Sequence, residues 1–109
     1  MKSDDFKKLM SGRIAQKDVR LGYAESLNVI EDNNTVIIGG NFILSDDLTF
    51  GKGEDYNRVI IFDGGNFNNI IFRGGNFRKL VFRRGSYNGY VSFRGGSIEN
   101  LILLGGNFN

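Results

Sequence analysis

From Ile60 to the end of the chain, one large side chain recurs every five residues. Phe62, Phe67, Phe72, Phe77, Phe82 and Tyr87 hold the count, and after one inserted residue it resumes with Phe93, Ile98, Leu103 and Phe108. The residue two before each alternates between branched and glycine: Ile60, Gly65, Ile70, Gly75, Leu80, Gly85, Val91, Gly96, Leu101 and Gly106. The unit is therefore a ten-residue repeat of the type I-I-F-R-G-G-N-F-x-x. Helical faces recur at about 3.6 residues and strand faces at about 2. A period of five fits neither. It fits a chain that turns a corner after every short strand and points one large apolar side chain inward per side. Four sides make one coil of a β-solenoid, and fixed-period self-similarity is the trace such architectures leave.

These residues resemble the pentapeptide-repeat family over Ile60 to Asn109, with Val36 to Phe42 as a further partial copy. The polar position before the centre matches at Asn41, Asn66, Asn76, Ser86 and Asn107. Ile61, Ile71, Val81, Ser92 and Ile102 depart from it. The resemblance implies an all-β fold, a right-handed β-solenoid of short strands, with four sides to the coil. Residues 1–34 are expected to form an N-terminal cap, a short helix plus connector. Residues 35–109 are expected to form the solenoid, with an irregular loop at 43–57, the whole being one structural domain.

At about twenty residues per coil, columns follow by counting. Phe67, Tyr87 and Phe108 share one, and Phe62, Phe82 and Leu103 another. Phe72 meets Phe93, and Phe77 meets Ile98. Strands stacked about 4.8 Å apart let the rings pile with an offset. Glycine pairs at 64–65, 74–75, 95–96 and 105–106 sit where corners are needed. On the same counting, Ile61, Val81 and Ile102 point outward as an apolar ladder. Phe42 lies twenty residues before Phe62, one coil's worth.

Ser3 is placed to cap a helix, with Asp4 and Asp5 in its first turn and Ser11-Gly12 as the stop. Phe6, Leu9, Met10, Ile14 and Leu21 could close the lumen, since a solenoid needs capped ends. Arg13 to Ile30 reads equally as strand or helix, and Glu31-Asp32-Asn33-Asn34 is a turn. At the other end Leu101, Leu103, Leu104 and Phe108 stand in a last coil with nothing in the sequence to cover them. They are expected to join two copies as a homodimer, and the resemblance implies the same.

The chain has no proline, cysteine, histidine or tryptophan. Disulfides, thiolate chemistry and Cys-type zinc sites are excluded. The serines lack a histidine to activate them. The Asp46–Asp47 and Glu54–Asp55 pairs could serve acid–base or cation chemistry, but solvated acids are the ordinary reading. Gly51-Lys52-Gly53 is too short for a phosphate loop. No cofactor is expected, and an enzyme is the least favoured class. With no long apolar run, the expectation is a cytoplasmic protein with no membrane contact.

The net charge of +2 conceals an asymmetry. Residues 1–57 carry seven basic and ten acidic residues, and residues 58–109 carry seven and two. No acid occurs between Gly64 and Ile98, where Arg73, Arg78, Lys79, Arg83, Arg84 and Arg94 all lie. The counting places Arg83 beside Asp63 and Arg78 beside Glu99. Two readings remain besides a merely solvated surface. One is a non-enzymatic protein-binding module, such as an inhibitor or immunity factor, that blocks an acidic surface of a larger target. The other is a nucleic-acid binder using the arginine-rich face, although Tyr90 alone offers an outward ring for base stacking. Pentapeptide-repeat proteins that imitate duplex DNA do so with acidic surfaces, and these repeats are basic.

Overall fold

Branched residues and phenylalanines separated by glycine corners fold as the period demands. In the computed structural model, which describes residues 1–108, they form a β-solenoid of about 4 turns with one short helix. The elements are α1 (Ser3–Ser11), a 3-10 turn at Gln16–Asp18, β1 (Asn28–Asp32), β2 (Thr35–Ile43), β3 (Leu48–Phe50), β4 (Asp55–Phe67), β5 (Ile70–Phe72), β6 (Asn76–Tyr87), β7 (Val91–Phe93), β8 (Ser97–Leu103) and β9 (Asn107–Phe108). β2, β4, β6 and β8 stack in parallel, as do β3, β5 and β7, while β9 pairs β6.

Each coil has four sides. On the first, Val36, Ile60, Leu80 and Leu101 form one inward column, and Ile38, Phe62, Phe82 and Leu103 the next. The second carries Phe67, Tyr87 and Phe108, the third Phe50, Phe72 and Phe93, and the fourth Tyr56, Phe77 and Ile98. The expected columns are all present. Rings stack at 4.4 Å between Phe62 and Phe82, 5.1 Å between Phe67 and Tyr87, 4.9 Å between Phe72 and Phe93, and 4.5 Å between Tyr87 and Phe108. Rings on adjacent sides meet edge-on inside the lumen, as Phe72 and Phe77 do at 82°. Stacking up the columns and edge contact across them are the two favourable ring geometries. Corner glycines take positive φ at Gly64, Gly65, Gly75, Gly96 and Gly106.

Several expectations change. The segment 43–57 is not an irregular loop thrown outward. It is a lumen-lining coil that holds β3 and buries Leu44, Leu48, Phe50 and Tyr56. This first coil is longer than the rest, since Ile38, not Phe42, faces Phe62. Phe42 instead meets Phe67 edge-on at 5.9 Å. Residues 1–34 are not merely a cap, because β1 turns at Asn33 and Asn34 and pairs antiparallel with β2.

The cap itself works as a plug. Phe6, Leu9 and Met10 are buried, and the Phe6 ring lies 5.3 Å from both Phe62 and Phe67. Ile14 and Leu21 are only partly buried against this core. Ser3 does not cap α1. The residue before the first turn is Lys2, while the Ser3 N–H and hydroxyl each donate to Asp46 at 2.8 Å. The helix ends as expected at Gly12, with φ 75°.

Candidate functional site

The fourth side alternates inward rings with outward polar residues, as strand geometry requires. Its outward columns are Asp55, Asn76 and Ser97, and then Asn57, Arg78 and Glu99, on either side of inward Tyr56, Phe77 and Ile98. The Asn76 amide donates to Asp55 at 2.8 Å, and Arg78 donates to the Asn57 carbonyl at 3.4 Å. Asn57, Asn76, Phe77, Arg78, Ser97 and Glu99 line a cleft of about 420 Å³.

Cations stand at both corners of this side. Arg73 and Arg94 occupy the corner before it, one rung apart. Their N–H groups donate to Phe50 and Phe72 carbonyls at 2.9 and 2.8 Å, the same bond repeated a rung higher. Lys52 belongs to this corner too, since Gly74, the neighbour of Arg73, packs on the Lys52 backbone. In the sequence Lys52 stands out only as the centre of Gly51-Lys52-Gly53, a triplet too short for a phosphate loop in an acidic stretch. A signal was present: residues 52, 73 and 94 are equally spaced by 21, close to one coil. Lys79 stands at the corner after the fourth side, in register with Val59 and Asn100. Among the described residues, Lys52, Arg73, Arg78, Lys79 and Arg94 form no ion pair. Arg94 donates to the Ser92 hydroxyl at 3.1 Å.

Arg83 and Arg84 lie elsewhere, at the corner between the first and second sides, where both face Asp63 at 3.0 and 3.6 Å. The Arg83 hydrogen bond holds the Asp63 carboxyl below its ordinary value, against a smaller opposing effect of burial. The structure thus gathers Arg73, Arg78, Lys79 and Arg94 around one side and separates Arg83 and Arg84 from them. Leu101, Leu103, Leu104 and Phe108 are all exposed at the far end of the stack, beside Phe93. Tyr90 is half-exposed at the corner before β7, away from the fourth side, and Tyr23 projects fully into solvent.

The acidic pairs serve as staples between distant parts of the backbone. Asp46 holds Ser3, and Asp47 accepts the Asn69 N–H at 3.2 Å. Glu54 accepts the Gly51 N–H at 2.6 Å, Lys7 at 2.9 Å and the Tyr56 hydroxyl at 3.2 Å. Burial and the neighbouring Glu54 charge push the Tyr56 phenol well above its ordinary range. Among the described residues no three His, Cys, Asp or Glu side chains converge as a metal site, and no helix is long and apolar enough to cross a membrane. Chemically, the fourth side presents Asn76, Ser97 and Arg78 beside the carboxylates of Asp55 and Glu99, with Lys52, Arg73 and Arg94 at one corner and Lys79 at the other, outside any ion pair among the described residues. Comparison with protein-family models, with curated proteins and with solved structures finds no match.

Proposed function

We propose that this chain is a non-enzymatic protein-binding module of the cytoplasm, pentapeptide-repeat-like in its repeat, which covers an acidic surface of a larger target as an inhibitor or immunity factor does. The observation that carries the reading is the stack of Arg73 and Arg94 at one corner, with Lys52 below and no counter-ion. Rungs about 4.8 Å apart fix these cations without the side-chain ordering of a flexible loop. A guanidinium then engages carboxylates in its bidentate geometry at little further entropic cost. The fourth side points its ring, Phe77, inward, so bases would find no stacking platform there. That favours protein over nucleic acid.

Affinity capture from the native cell, with nuclease treatment as control, tests this against the double variant Arg73→Glu/Arg94→Glu. A nuclease-resistant protein partner that the variant loses supports the reading. Anisotropy with random-sequence DNA and RNA covers the alternative. Micromolar binding whose salt dependence steepens by about 0.9 per phosphate contact would replace it with the nucleic-acid reading. If the variant keeps every interaction, the cations only confer solubility.

Self-association belongs to the same proposal. Leu103 and Leu104 are 61% and 67% exposed at the end of the stack, beside Leu101 and Phe108. The outer edge of β8 pairs with no strand among the described residues. Two copies meeting there as a homodimer would cover both the side chains and the edge.

A further inference from the structure

The first side ends at β1. Its outward column, Ile37, Ile61, Val81 and Ile102, reaches a last rung there, where Ile30 stands opposite Ile37. Beyond β1 the sheet has no further strand among the described residues. In an antiparallel pair every second residue turns its N–H and C=O to the partner, and an edge strand turns the others outward. The Ser26 N–H donates to the Asn41 carbonyl at 2.8 Å, and the hairpin closes with Asp32 opposite Thr35. The even-numbered residues of β1 therefore face β2. Leu27, Val29 and Glu31 turn their backbone groups outward.

The middle of that edge is occupied. The Val29 N–H donates to Gln16 Oε1 at 2.8 Å, and Gln16 Nε2 donates to the Leu27 carbonyl at 2.5 Å. A residue of a parallel strand would make the same two bonds with its backbone, accepting from one neighbour and donating to the other two residues before. The Gln16 carboxamide stands in for that residue. It is fixed from behind. The Gln16 carbonyl accepts the Val19 N–H at 3.2 Å, and the Asp18 carboxylate accepts the Ala15 N–H at 3.3 Å. Val19 is buried, and Ile14 and Leu21 pack against the core on either side of it. The strap from Ile14 to Leu21 is thus anchored by its apolar residues, and Gln16 stitches it to β1.

The edge would otherwise suit a second copy of itself. Two β1 strands laid antiparallel about Val29 set Glu31 opposite Leu27, Ile30 opposite Asn28 and Asp32 opposite Ser26. No acid then faces an acid, so the like-charge repulsion that blunts many edges is missing in this register. Its centre is the position that Gln16 fills. We propose that Gln16 is an autoinhibitory contact, a surrogate strand residue that keeps the β1 edge from pairing with the β1 edge of a second copy. The device is independent of the fourth-side cations and of the β8 end.

Gln16→Met keeps the length of the side chain and loses both amide bonds. It is made together with Leu103→Glu, so that the β8 end supplies no association. The Val29 amide is expected to exchange with solvent at least about tenfold faster than in Leu103→Glu alone. Sedimentation equilibrium is expected to show a mass that rises with concentration. Gln16→Asn, whose amide falls one carbon short of the edge, is the second variant and is expected to behave as Gln16→Met does. Adding Val29→Pro removes the outward N–H at the middle of the edge, a change that edge strands tolerate, and is expected to return the mass to a single chain. Three results would overturn the proposal: a Val29 amide that exchanges no faster in either variant, a mass that stays single in both, or an association that Val29→Pro leaves in place. The last would assign the sticking to another surface.

Discussion

Gly65 meets two demands at once. Its φ is +89°, and a Cβ there would press into the Phe42 ring. Gly53 has almost the same φ, +88°, with open space around it. Alanine at each position separates the two effects. Gly53→Ala is expected to lose about 1 kcal/mol, the cost of holding an L-residue in the left-handed region. Gly65→Ala adds about 1–3 kcal/mol for displacing a buried ring. Urea denaturation measures both, and equal losses would mean that Phe42 yields freely. Tyr87 differs from the phenylalanines of other columns in one bond, its hydroxyl donating to the Arg84 carbonyl at 2.9 Å. Tyr87→Phe should lose about 1 kcal/mol while leaving the ring stack intact. The ring columns were legible in the sequence because a ring stacked on a ring puts an aromatic at nearly constant intervals. The staples were not. Asp46 and Asp47 read as free acids because their partners, Ser3 and Asn69, lie 43 and 22 residues away, and nothing local marks them.

The cap is held at element scale by carboxylates as well as by Phe6. The Ile43 and Gly22 N–H groups draw the Glu25 carboxyl below its ordinary value. At Asp46 burial acts upward, but the two Ser3 bonds outweigh it, and at Glu54 the Gly51 N–H and Lys7 do the same. A carboxyl lowered in the folded state stabilises it above the unfolded value, about 4, and that stability is lost as pH falls through the lower folded value. The melting temperature is therefore expected to drop below about pH 4. Glu25→Gln/Asp46→Asn/Glu54→Gln should melt lower at neutral pH and show a shallower acid limb. A wild-type melting temperature unchanged down to pH ~2 would remove the carboxylates from this role. Phe6→Ala, which empties the plug, should cost about 3–5 kcal/mol. The helix was legible from Phe6, Leu9, Met10 and Gly12. β1 was not, because Asn28–Asp32 offers no clean alternation and takes its form from the open edge of β2. β3 was hidden by extra residues at its flanking turns, which broke the twenty-residue count while Leu48 and Phe50 kept their inward places.

For the whole molecule, self-association is open to a direct measurement. Sedimentation equilibrium at micromolar concentration is expected to give twice the chain mass, and Leu103→Glu to return it to one. A chain that stays single, with mass and melting temperature indifferent to Leu103→Glu, would sink the idea. The two ends of the stack also differ in kind. At the first, the edge strand β1 runs antiparallel to β2 and α1 fills the lumen, so a further parallel coil would meet an antiparallel edge and no open cavity to extend. A solenoid with two open ends could polymerise head to tail without limit. On the homodimer proposed above, the β8 end is the adhesive one, and two copies would use up both. On that proposal the antiparallel strand and its plug would act as a chain terminator, and stacking would stop at a pair.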